Sequence, residues 1–138
     1  MKIGLFTECY EPIINGVVHS IENTKRGLEG LGHEVFVFAP DYKNKNIREK
    51  NIIHCPSTPL PGKLGYHYVH RLPEEIKKIA AKMDIIHTHH PFTMAKYSSE
   101  IALSNNIPFL FTHHTQYDQY THYVPLMHTK AKNFLYGF

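Results

Sequence analysis

Apolar positions along this chain fall into short runs and one-sided stripes that alternate with polar breaks. Residues 2–7 alternate loosely and stop at Glu8-Cys9-Tyr10-Glu11-Pro12, which predicts a short strand feeding a loop. Val17, Ile21, Thr24, Leu28 and Leu31 then recur at helical spacing. They predict a helix from the Asn15-Gly16 turn to about Leu31, with Gly32 where a C-terminal cap belongs. Val35-Phe36-Val37-Phe38-Ala39 reads as a second strand, ended by Pro40-Asp41, and the short crossover between the two strands should be right-handed.

A polar loop over residues 41–49 leads to a third strand at 51–55. The proline- and glycine-rich stretch from Pro56 to Gly65 reads as an irregular surface connection. Pro73 opens the next helix, with Glu74 and Glu75 at the positive end of its dipole and Leu72, Ile76, Ile79 and Met83 as its buried stripe. A strand over 84–88 is followed by a helix entered at Pro91 and running to about Asn105. The last strand covers 107–112, and its Phe109-Leu110-Phe111 run reads as buried on both faces. Residues 116–123 are turn-like or a short helix, and 126–136 read as a helix. The order β-α-β-β-α-β-α-β-α is that of an α/β fold, a Rossmann-like, doubly wound, mostly parallel sheet. The apolar tail Phe134-Leu135-Tyr136-Gly137-Phe138 has nothing after it to pack on, which is the expectation for a fragment of a longer protein.

Composition narrows the function classes only modestly. At 138 residues one domain is expected, and 42% apolar residues with nine Tyr and eight Phe exclude a disordered chain. A formal charge of +3 does not call for nucleic acid as a partner. The basic residues Lys43, Lys45, Arg48 and Lys50, interrupted by Glu49, read as a solvated loop, with an anionic membrane surface as the second reading. Cys9 and Cys55 have neither disulfide-framework nor zinc-knuckle spacing, which fits a reducing cytoplasm. No stretch approaches the roughly 20 apolar residues of a membrane span.

Twelve histidines are the compositional oddity. Two buried strands end in histidine pairs, His89-His90 after His87, and His113-His114. Parallel pairing would gather all five at the carboxyl ends of the strands, where open α/β sheets bind ligands. Three chemistries compete for such a cluster. Neutral imidazoles could hold a metal, although no H-E-x-x-H helix accompanies them. Their N–H groups could donate to sugar or phosphate oxygens, or one ring could act as a general acid or base. Alternatively, one histidine of each pair points into the core and bonds a backbone carbonyl. At the other end, Gly16 before the first helix would let an anion such as phosphate approach the free N–H groups of the first turn, or it merely supplies a tight turn. Tyr117, Tyr120 and Tyr123 could stack on sugar faces or at a membrane interface, or form a half-buried lid.

Taken together, Tyr10-x-Pro12-x-x-Asn15-Gly16-Val17-Val18, Gly32-His33-Glu34-Val35, His87-Thr88-His89-His90-Pro91-Phe92 and Thr112-His113-His114-Thr115-x-Tyr117 resemble the amino-terminal domain of retaining glycosyltransferases of family 4. The resemblance covers essentially the whole chain, with the motifs in order. Within the family it resembles the lipid glycosyltransferases that glucosylate diacylglycerol. It implies the GT-B architecture, two Rossmann-like domains facing across a cleft. Residues 1–138 would be the acceptor-side domain, and the carboxy-terminal nucleotide-sugar-binding domain would lie outside this sequence.

The resemblance also implies roles. Gly16, flanked by Asn15 and Val17, would approach the donor diphosphate; many members carry two glycines where this chain has Asn15-Gly16. His114 matches the histidine close to the transferred sugar, the expected catalytic position. Tyr10, His89, His113 and Tyr117 would be acceptor- or sugar-side contacts, with His113 standing where the family often has an aromatic residue. No metal or other cofactor is implied. Expected partners are a nucleotide sugar such as UDP-glucose, a lipid or other hydroxyl acceptor, the missing domain, and a membrane surface touched peripherally on its cytoplasmic face. Two readings from other classes stay open: a metal-dependent hydrolase built on the histidine cluster, and a Rossmann-like binding module without chemistry.

Overall fold

A computed structural model describes residues 1–43, 49–61 and 65–114 of the chain. Its centre is a five-stranded sheet in the order β3-β2-β1-β6-β7, formed by β1 (Lys2–Phe6), β2 (Glu34–Pro40), β3 (Ile52–Cys55), β6 (Ile85–Thr88) and β7 (Phe109–Phe111). All four pairings are parallel. A two-stranded antiparallel ribbon, β4 (Thr58–Pro59) with β5 (His67–Tyr68), stands apart from it. Helices α1 (Gly16–Gly30), α2 (Glu74–Ala80) and α3 (Thr93–Asn105) complete the described part. The expected Rossmann-like α/β class is what the chain adopts.

Strand alternation sends side chains to two separate cores. Ile3, Leu5, Val35, Val37 and Ala39 pack with Val18 and Ile21 of α1 on one face. Phe6, Phe38 and Ile86 pack with Ala80, Met94, Ile101 and Ala102 on the other, beneath α2 and α3. Phe6 and Phe38, directly opposite in the β1–β2 register, stack with centroids 4.2 Å apart and planes 6° from parallel. Fully burying such a ring contributes about 1.5–3 kcal/mol. Gly4 is what lets these rings and Met83 close on the strand, since a Cβ there would lie 3.0 Å from Met83 Cγ.

Several expectations are corrected by the three-dimensional arrangement. The Phe109-Leu110-Phe111 run is an edge strand rather than one buried on both faces, and these residues are 41%, 49% and 39% exposed. An all-apolar run is compatible with either place, and only the strand order decides. Ile21 of the expected α1 stripe is buried and Val17 and Leu28 pack half-buried against the same core, but Val18 joins it as a fully buried residue and Leu31 lies beyond the helix and is exposed. Pro73 is the residue that caps α2 rather than its first helical residue, and α3 starts at Thr93. The connection expected to be irregular carries the β4–β5 ribbon. Gly32, at φ +84, takes the left-handed turn expected after α1. The 116–123 and 126–136 segments, Tyr117, Tyr120 and Tyr123, and much of the basic 43–50 loop lie outside the described residues.

The sheet's order reverses between β1 and β6. The chain leaves β1 toward β2 on one side, while β6 and β7 lie on the other. In open α/β sheets the crevice beyond the carboxyl ends at this point is where ligands bind.

Candidate functional site

A cavity of about 930 Å³ opens at that switch point. Glu8 and Cys9 reach it from the end of β1, His90 from the end of β6 and His114 from the segment after β7. Asn15, Gly16 and Val17 line it at the start of α1, and Phe92 and Thr93 at the start of α3. Leu60, Tyr66, His67 and Tyr68, on and beside the β4–β5 ribbon, form a largely apolar wall.

Two helix N-termini therefore face one cavity, and they differ. At α3 the Glu8 carboxylate accepts the Met94 N–H at 2.6 Å and the Thr93 hydroxyl at 3.2 Å, so this positive end is already taken. Burial pushes the Glu8 carboxyl up to about 7, against the opposing pull of those two hydrogen bonds. At α1 the Asn15 side chain accepts the Val18 N–H at 2.9 Å, and the first intrahelical bond runs from His19 N–H to the Asn15 carbonyl. The N–H groups of Gly16 and Val17 precede that bond and border the cavity. A Cβ on Gly16 would meet nothing within 4 Å, so the space over this backbone is open. One helix end carries its own carboxylate, and the other is free to receive an external anion.

Around the strand ends the polar groups are interlocked. The Thr7 hydroxyl donates to the Cys9 carbonyl at 2.7 Å, and Glu8 N–H donates to His90 Nδ1 at 3.3 Å. His90 Nδ1 is thereby an acceptor and its proton sits on Nε2, 3.8 Å from Cys9 Sγ. Burial, then repulsion from His114, lowers His90 to about 4, so the ring is neutral at physiological pH. The Asn15 amide lies 3.5 Å from Cys9 Sγ and 3.4 Å from the Tyr66 hydroxyl, tying the α1 cap to the ribbon wall. Burial raises the Cys9 thiol, which is therefore not a ready nucleophile.

His87 and His89 alternate with Thr88 and so point to one side of the sheet. His87 Nε2 lies 2.7 Å from Thr112 Oγ1, and His89 Nδ1 lies 2.8 Å from His114 Nε2. His89 is 1% exposed, and burial, reinforced by its histidine neighbours, lowers it to about 3. His87 and His114 are lowered as well, each first by burial.

The expected site residues thus separate into groups. Asn15, Gly16, Val17 and His114 meet on the cavity. Tyr10 does not line it: the residue is buried, and its hydroxyl donates to Glu22. His89 sits behind His114, so the direct ligand contact expected of Tyr10 and His89 has no face on the cavity. His113 is exposed and packs edge-on against Phe111, away from the lining. Tyr117 lies outside the described residues. Glu8 and Thr93 escaped the sequence reading, although Glu8 stands at a strand end by the same rule that singled out the histidines. Among the described residues no group of three or more His, Cys, Asp or Glu side chains is arranged to hold a metal. No helix among them is long and apolar enough to cross a membrane.

Comparison with known proteins gives the family. The model of Glycosyltransferase Family 4 matches residues 14–137. The chain is 40% identical over 136 residues to an alpha-monoglucosyldiacylglycerol synthase of Acholeplasma laidlawii, covering 94% of this chain and 34% of that protein. It is 39% identical over 127 residues to the alpha-monoglucosyldiacylglycerol synthase of Streptococcus pneumoniae (strain ATCC BAA-255 / R6), covering 90% of this chain and 29% of that protein. The chain thus spans about a third of the length of the relatives it matches. With the family match running through nine-tenths of the sequence, from the α1 N-terminus past the histidine cluster, this chain belongs to glycosyltransferase family 4.

Proposed function

We propose that this chain is the acceptor-side domain of a retaining glycosyltransferase that moves glucose from a nucleotide sugar, UDP-glucose, to a lipid hydroxyl such as that of diacylglycerol. The observation that carries the reading is the pairing, on one cavity, of an open α1 N-terminus at Gly16 and Val17 with His114 opposite. Two relatives near 40% identity are alpha-monoglucosyldiacylglycerol synthases, which supports the lipid acceptor and the glucosyl group. Their greater length supports a second, nucleotide-binding domain closing over the cavity.

In this reading the acceptor oxygen forms a bond to the sugar's anomeric carbon on the face that the diphosphate leaves. The bond from that carbon to the phosphate oxygen breaks, and the acceptor proton passes to the departing diphosphate. Negative charge grows on the leaving group, and the Gly16 and Val17 N–H groups at the α1 dipole stabilise it. His114 holds a sugar hydroxyl, and the ring wall of Tyr66, Tyr68 and Phe92 takes the apolar part of the acceptor. A lipid acceptor puts the cavity mouth at a membrane surface, on the cytoplasmic side where nucleotide sugars are available.

The test uses the full-length protein, radiolabelled UDP-glucose and extracted membrane lipids, with and without a chelator. Label entering the organic phase in both conditions is the expected result. Label that stays aqueous removes the lipid acceptor or the UDP-glucose donor. Activity lost on chelation returns the histidine cluster to consideration as metal ligands.

A further inference from the structure

We propose that His89 is a positioning residue that holds His114 in the tautomer protonated on Nδ1, so that His114 meets its ligand as a hydrogen-bond donor. This inference rests on the reading of His114 as a sugar-side residue and adds to it the proton arrangement that makes the contact specific.

The argument starts from strand periodicity. His87 and His89 project to one side from the end of β6, and each reaches across to the segment that follows β7. His87 Nε2 meets Thr112 Oγ1 at 2.7 Å, and the Thr112 N–H donates to the Thr88 carbonyl at 2.9 Å, so the approach to His114 is fixed by both side chain and backbone. His89 is fixed in turn, its N–H donating to the Phe6 carbonyl at 3.0 Å. Its ring lies 4.1 Å from that of His87 between centroids and meets the His114 ring, at 5.1 Å, through the Nδ1 edge. With 1% exposure it has no alternative rotamer open to solvent.

One proton lies between His89 Nδ1 and His114 Nε2, which are 2.8 Å apart. The question is which ring owns it. The other nitrogen of His89, Nε2, is buried and has no hydrogen-bond partner among the described residues. A neutral imidazole carries one N–H and one lone pair. If His114 donated, His89 would carry its own proton on Nε2, as an orphaned buried donor, which is the rarest and costliest state of a polar group in a protein interior. If His89 donates from Nδ1, the unpartnered Nε2 is only an unused acceptor. The second arrangement is favoured, and it dictates the rest: His114 Nε2 accepts, and its own proton is on Nδ1.

His114 borders the cavity, and its Nε2 is engaged from behind. The nitrogen left for a ligand is Nδ1, and it is a donor. A donor suits a sugar hydroxyl or a phosphate oxygen and cannot take a proton from the acceptor. The histidine of the second pair therefore orients the sugar instead of serving as a base, and His89 is what makes it so. This also accounts for a buried polar ring with half its capacity unused, because its one bond serves the neighbouring site.

The test is made on the full-length protein with ring-¹⁵N-labelled histidine, the His114 signals being assigned by their loss in His114→Asn. The expected spectrum at neutral pH shows His114 protonated on Nδ1 and bare on Nε2. Protonation on Nε2 overturns the proposal while leaving the transferase reading intact. Conversely, a wild-type enzyme without transfer activity but with the expected tautomer removes the transferase reading and leaves the tautomer assignment standing. Two substitutions give the kinetic arm. His89→Asn keeps an N–H where Nδ1 stands and should retain the Nδ1–H tautomer with kcat within about threefold of wild type. His89→Leu removes the donor and should lower kcat about 10- to 100-fold, with KM for the nucleotide sugar nearly unchanged. Equal losses in the Asn and Leu variants, with His114 unchanged in tautomer, would mean that His89 only fills space.

Discussion

The Glu8 carboxylate accepts the backbone N–H of Met94 at 2.6 Å across 86 residues of sequence, joining the end of the first strand to the start of the third helix. Phe92, the residue in the N-cap position of α3, makes no side-chain capping bond, so the cap is supplied from a different part of the chain. This places a half-buried carboxyl on the wall of the cavity and occupies one of the two helix ends that face it.

From this bond follows a stability prediction. Glu8→Ala leaves the Met94 N–H and Thr93 hydroxyl without their acceptor and should cost about 1–2 kcal/mol, the usual scale for losing a helix cap. Glu8→Gln keeps a neutral acceptor and should lose less than half of that. Urea unfolding of the three full-length proteins near pH 8, where the folded Glu8 carboxyl is ionised, checks the order, and equal losses in both variants would show that charge, not capping, is the source.

The same buried groups give the fold a pH dependence with opposing signs. His89 and His90 are lowered from the ordinary 6.5 to about 3 and about 4, so the unfolded chain binds more protons than the folded one between those limits. Their contribution is therefore fully present above about pH 6.5 and is lost as pH falls through the window, by up to about 1.4 kcal/mol per pH unit for each histidine. Glu8, raised from 4.5 to about 7, works the other way: its folded form holds a proton that the unfolded chain has released, so its term weakens folding as pH rises through that range. Two histidines outweigh one carboxyl, and apparent melting temperature should drop between pH 7 and 5. Glu8→Gln should make that drop steeper, and a shallower one would reverse the sign assigned to Glu8.

Gly16 is predicted to matter to ligand and not to fold. A methyl group there meets no protein atom within 4 Å, so Gly16→Ala should unfold within about 0.5 kcal/mol of wild type. The methyl would intrude where a diphosphate approaches the first-turn N–H groups, and kcat/KM for the nucleotide sugar should fall about 10-fold or more. Unchanged kinetics would move the anion site away from α1.

His114→Ala removes an imidazole that borders the cavity and is held from behind by the His89 ring. Turnover of the full-length enzyme should fall about 100-fold, with a smaller change in KM, since the bond is strongest when the sugar carries developing charge. Near-normal turnover would take His114 out of the sugar contact.

Periodicity and composition were enough to establish the α/β class, the parallel sheet, the Asn15-Gly16 entry to α1 and the gathering of histidines at strand ends, because each depends on local spacing and on the rule that parallel strands end together. What local spacing leaves open is neighbourhood. The run Phe109-Leu110-Phe111 reads identically as a central or an edge strand, and only the order β3-β2-β1-β6-β7 puts it at the edge. Likewise, Val18 rather than Val17 is buried, because the position of α1 over the sheet, not its sequence, picks the angle it presents. The polar pairs at the site, Glu8 with Met94 and His89 with His114, and the pair that ties Tyr10 away from it, Tyr10 with Glu22, join residues 86, 25 and 12 positions apart. A hydrogen bond made by a side chain across the fold depends on ångström distances set by packing, and no pattern of residue types along the chain encodes them. The gathering of histidines and of the Asn15-Gly16 turn at one end of the sheet was thus legible in the sequence, while the division between side chains that border the cavity and those that stand behind them was made by the tertiary structure.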